Sequence, residues 1–104
     1  MNGRRVYWTP IAIESLQVMY DFVSIKWDQQ IMDVLLDAVD ETIGRIQQHP
    51  GIAQLIEGTP FRRYVLHKYV SLYYMLTDEQ VKILLVWDNR MDDRDLIQRL
   101  TGAA

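Results

Sequence analysis

The side chains able to hold an oxyanion gather in two places. Arg62, Arg63, His67 and Lys68 stand close together, and Arg90 and Arg94 form a second group near the C-terminus. A guanidinium grips a phosphate or carboxylate with parallel N–H donors, and an imidazole carries a proton near neutral pH. Arg90, Arg62 and His67 are therefore the candidates for catalysis, and Arg90, Arg94, Arg62 and Arg63 for contact with an anionic target. Each has a plainer reading. Arg62 and Arg63 alternate along a strand, where charge discourages edge-to-edge aggregation. Arg90 precedes Asp92 and Asp93, which invites a local ion pair of small worth. No nucleophile or second acid stands beside His67, and His49 reads as a favourable charge at a helix C-terminus.

Other chemistry is excluded more simply. There is no Cys, so disulfides, thiolate metal sites and Cys nucleophiles are absent. Asp33, Asp37, Asp40 and Glu41 have helical spacing, but no loop motif supplies further oxygen ligands. They read as a solvated helix face, and neither a metal nor a cofactor is expected.

Six Tyr and three Trp are many for 104 residues, and such rings favour interfaces because one end is polar. Tyr64, Tyr69, Tyr73, Tyr74 and Trp87 are the aromatics of the strands predicted below. Adjacent Tyr73 and Tyr74 must point to opposite faces of one strand, so one faces away from the helices. Tyr73, Tyr74 and Trp87 are the candidates from which that face would draw its anchors for a partner polypeptide.

The elements that must position these groups are legible from periodicity. A short strand over residues 4–8 stops at Thr9-Pro10, a good N-cap followed by a good first helical residue. A helix over residues 10–26 carries Ala12, Leu16, Met19 and Val23 on one face. Asp28 can cap a second helix to about residue 48, with Met32, Leu36, Val39, Ile43 and Ile46 as its stripe, widened by Ile31 and Leu35. His49-Pro50-Gly51 ends it. The short link between the two predicts an antiparallel helical hairpin. Residues 52–60 read as a loop. Strands follow over 61–67, 69–76 and 80–88, and a short helix over 92–100. In the last strand both alternating sets, Val81/Ile83/Leu85/Trp87 and Leu84/Val86, are apolar, so both faces must be covered. The hairpin covers one. A C-terminal segment, a second copy or a partner peptide must cover the other. The fold class is α+β, a helical hairpin on one face of a mostly antiparallel sheet of about four strands, with a short C-terminal helix, in one domain over residues 1–104.

Net charge is −3, whereas a protein that grips nucleic acid unaided is usually basic. Any such contact must be a local patch. The segment before Pro10 is too short for a signal-peptide core, and apolar runs such as residues 83–87 are too short to cross a bilayer. A cytoplasmic location with no membrane partner is expected.

Several pieces of the chain resemble the RelE/ParE toxin superfamily, of the plasmid-stabilisation type. Trp8-Thr9-Pro10-Ile11-Ala12 is similar to the family's opening. The Arg62-Arg63 pair followed by Tyr69 and Tyr73 is similar to its central hairpin, and residues 83–92 to its last strand and Arg-x-Asp ending. The resemblance implies a growth-inhibiting toxin neutralised by a cognate antitoxin, with a homodimer also compatible. One branch of the superfamily cleaves mRNA on the ribosome with basic residues and a Tyr or His. Another binds DNA gyrase and lacks the nuclease residues. Here Val70 stands where the nuclease branch keeps a basic residue, and Leu96 where it keeps a Tyr, so the ParE-like branch is the expected one. The resemblance then gives Arg90 to the target contact. The alternatives are a ribosome-dependent endoribonuclease, with Arg62, Arg63, Lys68 and Arg90 on RNA and His67 or Tyr69 moving protons, and a non-toxic relative that only forms a complex.

Overall fold

A computed structural model describes residues 4–26 and 29–104, with side chains described for 4–21 and 30–104. The Asp28 cap and the Val23 side chain lie outside the described residues. Along the chain run β1 (Arg5–Trp8), α1 (Pro10–Lys26), α2 (Gln29–Gln48), β2 (Gln54–Leu55), β3 (Phe61–His67), β4 (Val70–Leu76), β5 (Gln80–Asp88) and α3 (Leu96–Ala103). The five strands form one sheet in the order β1-β5-β4-β3-β2. β1 lies parallel to β5, and the other pairs are antiparallel. The fifth strand is the departure from expectation. Residues 54 and 55, read as loop, pair with Arg63 and Arg62. A two-residue strand has no periodicity to announce it.

Thr9 sets the start of α1. Its Oγ1 accepts from the Ala12 N–H at 3.1 Å and donates to the Ile83 carbonyl at 2.9 Å, so the cap is also tied to β5. β1 ends opposite Ile83, leaving the next stretch of β5 an open edge. α1 closes it: the Val86 N–H donates to Ser15 Oγ at 3.0 Å, and that hydroxyl donates to the Ala12 carbonyl at 2.8 Å. A buried strand edge would otherwise leave donors unpaired.

The two sheet faces carry separate cores. On one, Ala12 and Met19 of α1 and Met32, Leu35 and Ile46 of α2 pack on Leu72, Tyr74, Val81, Ile83 and Val86. On the other, Leu96 and Leu100 of α3 pack on Phe61, Tyr73, Leu84, Leu85 and Trp87. The chain's own C-terminal helix therefore covers much of the second face. The two cores meet at a β-bulge. Tyr73 faces Leu85 while Tyr74 faces Ile83, which leaves Leu84 without a cross-strand partner. The extra residue resets the alternation, so Leu84 and Leu85 both reach the α3 side. The alternating sets are thus Val81/Ile83/Val86 and Leu84/Leu85/Trp87, not the strictly alternating ones expected.

α3 begins at Leu96, later than expected. The Arg94 N–H donates to Asp92 Oδ1 at 3.0 Å, a local side-chain bond that holds residues 92–94 in a turn.

Candidate functional site

The turn between β3 and β4 meets the end of β5 at one end of the sheet. The Asn89 N–H donates to the Tyr69 carbonyl at 2.7 Å and fixes the two segments together. This places three side chains around the ring of Tyr69. The Arg90 guanidinium carbon lies 4.7 Å from the Tyr69 ring centroid, and the Lys68 ammonium 5.2 Å from it. The His67 ring centroid is 6.1 Å away, tilted by 55°. The Tyr69 N–H is 3.5 Å from His67 Nδ1, which accepts it.

Asp88 orients Arg90. Arg90 Nε and Nη2 donate to the two carboxylate oxygens at 3.0 and 2.8 Å, and its backbone N–H donates to Oδ1 at 2.9 Å. These bonds hold the Asp88 carboxyl below the usual carboxylate range, with its burial opposing them. The same carboxylate raises the Arg90 pKa above its ordinary value. Arg90 is thus a planar cation locked in one orientation, with its side chain 46% exposed.

Beneath this cluster, on the hairpin side, a cavity of about 470 Å³ opens between α1, α2 and the sheet. Met19, Ile31, Val34, Leu35, Leu66 and Val70 make it apolar, and His67, Tyr69, Asp88 and Arg90 stand at its polar end. Ile31 and Val34 form its exposed rim on α2.

The other candidates fall elsewhere. Arg62 lies on the hairpin side, where its Nη1 donates to the Ala53 carbonyl at 2.9 Å and holds the segment after α2. Arg63 lies on the opposite face, with Nε donating to the buried Ser71 Oγ at 3.2 Å. Arg94 is paired with Asp92 on an exposed turn. The structure therefore joins His67 and Arg90, with Lys68 and Tyr69, and leaves Arg62, Arg63 and Arg94 apart.

Tyr73, Tyr74 and Trp87 require a correction as partner anchors. Their exposures are 3%, 0% and 6%: Tyr73 and Trp87 lie under α3 and Tyr74 under the helical hairpin, so none offers a surface. Burial pushes the Tyr73 phenol up, with Arg63 pulling it down and Asp93 adding to the rise. Burial also raises Tyr74, whose hydroxyl donates to the Pro50 carbonyl at 2.7 Å. Arg99 stacks over Trp87 at 5.4 Å from its ring.

Two contributors escaped the sequence reading. Asp88 looked like a strand end, and only its neighbour two residues on reveals its role. Val34 sits between Asp33 and Leu35, yet with Ile31 and Ala38 it forms a second apolar ridge at i, i+3, i+7. Among the described residues no cluster of side chains fit to hold a metal ion is found, and no described helix is long and apolar enough to cross a membrane.

Comparison with solved structures shows the same fold. A chain from the chromosomal ParDE toxin–antitoxin system of P. aeruginosa superposes with a TM-score of 0.70 at 18% identity, covering 82% of this chain and 95% of that one. The YoeB dimer of Staphylococcus aureus gives 0.59 at 15% identity, covering 81% and 94%. A sequence search of curated proteins finds no match. The family model for the ParE toxin of the type II toxin–antitoxin system, parDE, matches residues 6–93. With that match spanning most of the chain, and the hairpin-on-sheet fold shared with these toxins, the protein belongs to the ParE toxin family of type II toxin–antitoxin systems.

Proposed function

We propose that the chain arrests growth by binding a cellular protein such as DNA gyrase, without chemistry of its own, and that a cognate antitoxin neutralises it in the cytoplasm. One observation carries the reading. The two positions where the nuclease branch keeps reactive side chains serve packing here: Val70 lines the apolar cavity and Leu96 is buried between α3 and the sheet. Arg90, oriented by Asp88 and stacked on Tyr69, is the rigid cationic contact for a target, since a planar cation whose own two donors are held by a carboxylate loses little freedom on binding.

A ribosome-dependent endoribonuclease is the second reading. It is favoured by the gathering of His67, Lys68, Tyr69 and Arg90 at one end of the sheet, a set that could hold a phosphate and move a proton. Net acidity and the loss of the two nuclease positions weigh against it.

The direct test is induction of the gene alone and together with a short adjacent gene. Growth arrest relieved by co-expression is the expected outcome. Unimpeded growth on induction alone would leave only a complex-forming relative.

A further inference from the structure

The chain has no Cys, so its reaction with peroxide falls to methionine. A thioether must be reached to be oxidised, and three of these side chains are covered. Met32 is fully buried, Met19 is 9% exposed, and Met75 is partly buried against the core under α3. Met91 is 55% exposed, which makes it the open sulfur among the described residues.

Its place is specific. The Met91 N–H donates to the Asp88 carbonyl at 3.0 Å and closes a turn over Asn89 and Arg90. Asp is favoured at the first position of such a turn. In the same turn the Asp88 carboxylate accepts from Arg90 Nε and Nη2. Met91 is thus the next residue after an exposed guanidinium whose orientation depends on one carboxylate. The thioether is a weak acceptor on a flexible, unbranched side chain. A sulfoxide is polar and carries an oxygen that accepts hydrogen bonds. A guanidinium can only donate, so a strong acceptor one residue away competes with Asp88 for it.

We propose that Met91 is a reversible oxidation site whose sulfoxide draws Arg90 away from Asp88 and weakens the target contact. In the step, the Met91 Sδ lone pair attacks one oxygen of hydrogen peroxide. The O–O bond breaks, an S–O bond forms, and the second oxygen leaves as water after proton transfer. Sulfur gives up two electrons, and peroxide takes them. A methionine sulfoxide reductase, drawing on a thiol reductant, restores the thioether. The loss of contact rests on the reading of Arg90 given above, whereas the oxidation and its effect on Arg90 do not.

The test treats the whole chain with graded hydrogen peroxide. Peptide mapping by mass spectrometry locates the added oxygen, and NMR follows the Arg90 Nε–H signal, assigned with Arg90→Lys. Met91 is expected to oxidise at least about tenfold faster than Met32. The Arg90 signal is expected to shift with it, to return after reductase treatment, and to stay fixed in Met91→Leu. Circular dichroism confirms that the oxidised chain and the variants are folded. In cells, Met91→Gln places a permanent acceptor at this position and is expected to arrest growth about tenfold less than Met91→Leu on colony counts. Equal oxidation of Met32 and Met91 overturns the proposal. So does an Arg90 signal that ignores the oxidation or moves equally in Met91→Leu, and so does equal arrest by the Gln and Leu variants. A wild type that arrests no growth counts against the toxin reading, and the mapping and the Arg90 signal then decide the proposal.

Discussion

Arg90 packs over the ring of Tyr69, its guanidinium carbon 4.7 Å from the centroid, while Asp88 holds Nε and Nη2 of the same group. The relationship links a residue after β5 to one in the turn just before β4. It explains how an exposed arginine keeps a fixed orientation. Arg90→Ala is expected to relieve growth arrest strongly while the thermal melt stays cooperative. Arg90→Lys is expected to rescue poorly, because an ammonium cannot make the planar two-donor contact with Asp88. Colony counts after induction, beside circular dichroism of the purified variants, check both.

The Asp88 carboxyl gives a pH signature. Its folded pKa is lowered below the ordinary 3.8, first by the side-chain bonds from Arg90. A depressed carboxyl contributes stability that is present above the unfolded value and lost as pH falls through the folded value. Urea melts between pH 7 and pH 2 are expected to show this acid-side loss in the wild type. Asp88→Asn lowers stability at neutral pH and flattens that part of the profile.

Tyr74 is fully buried, and its hydroxyl donates to the Pro50 carbonyl and accepts from the Ala53 N–H at 3.4 Å. Tyr74→Phe leaves both backbone groups without that partner at a cost of about 1–3 kcal/mol. For a domain of this size each kcal/mol lowers Tm by about 4–8 °C. Differential scanning calorimetry is the check.

Leu100 is fully buried where α3 meets β5. Leu100→Ala opens a cavity and is expected to cost about 2–5 kcal/mol. Hydrogen exchange should accelerate first in α3, which packs through few buried residues, and less in β1 and α1 on the other side of the sheet.

These predictions also mark where the sequence was readable. The Thr9-Pro10 start of α1 and the apolar stripe of α2 follow from short-range rules, and both stand in the structure. The need to cover both faces of β5 was plain from its apolar run, but not which of three coverings would serve. The bulge at Leu84 could not be read, because a continuous apolar run hides a change of phase. β2 is too short to carry a pattern. Of the site, Arg90, His67 and Tyr69 were legible by type, yet their meeting depends on the Asn89–Tyr69 backbone bond between segments twenty residues apart. Arg62 and Arg63 were adjacent in sequence and were separated by strand alternation, one to each face.

The most direct measurement of the central claim is a paired assay with the purified chain. Gyrase supercoiling and DNA cleavage are followed in one tube, and cleavage of ribosome-bound mRNA in the other. A target-binding toxin without chemistry predicts intact mRNA together with inhibited supercoiling or accumulated cleavage complexes. Codon-phased cuts in the mRNA beside unaffected gyrase would contradict it.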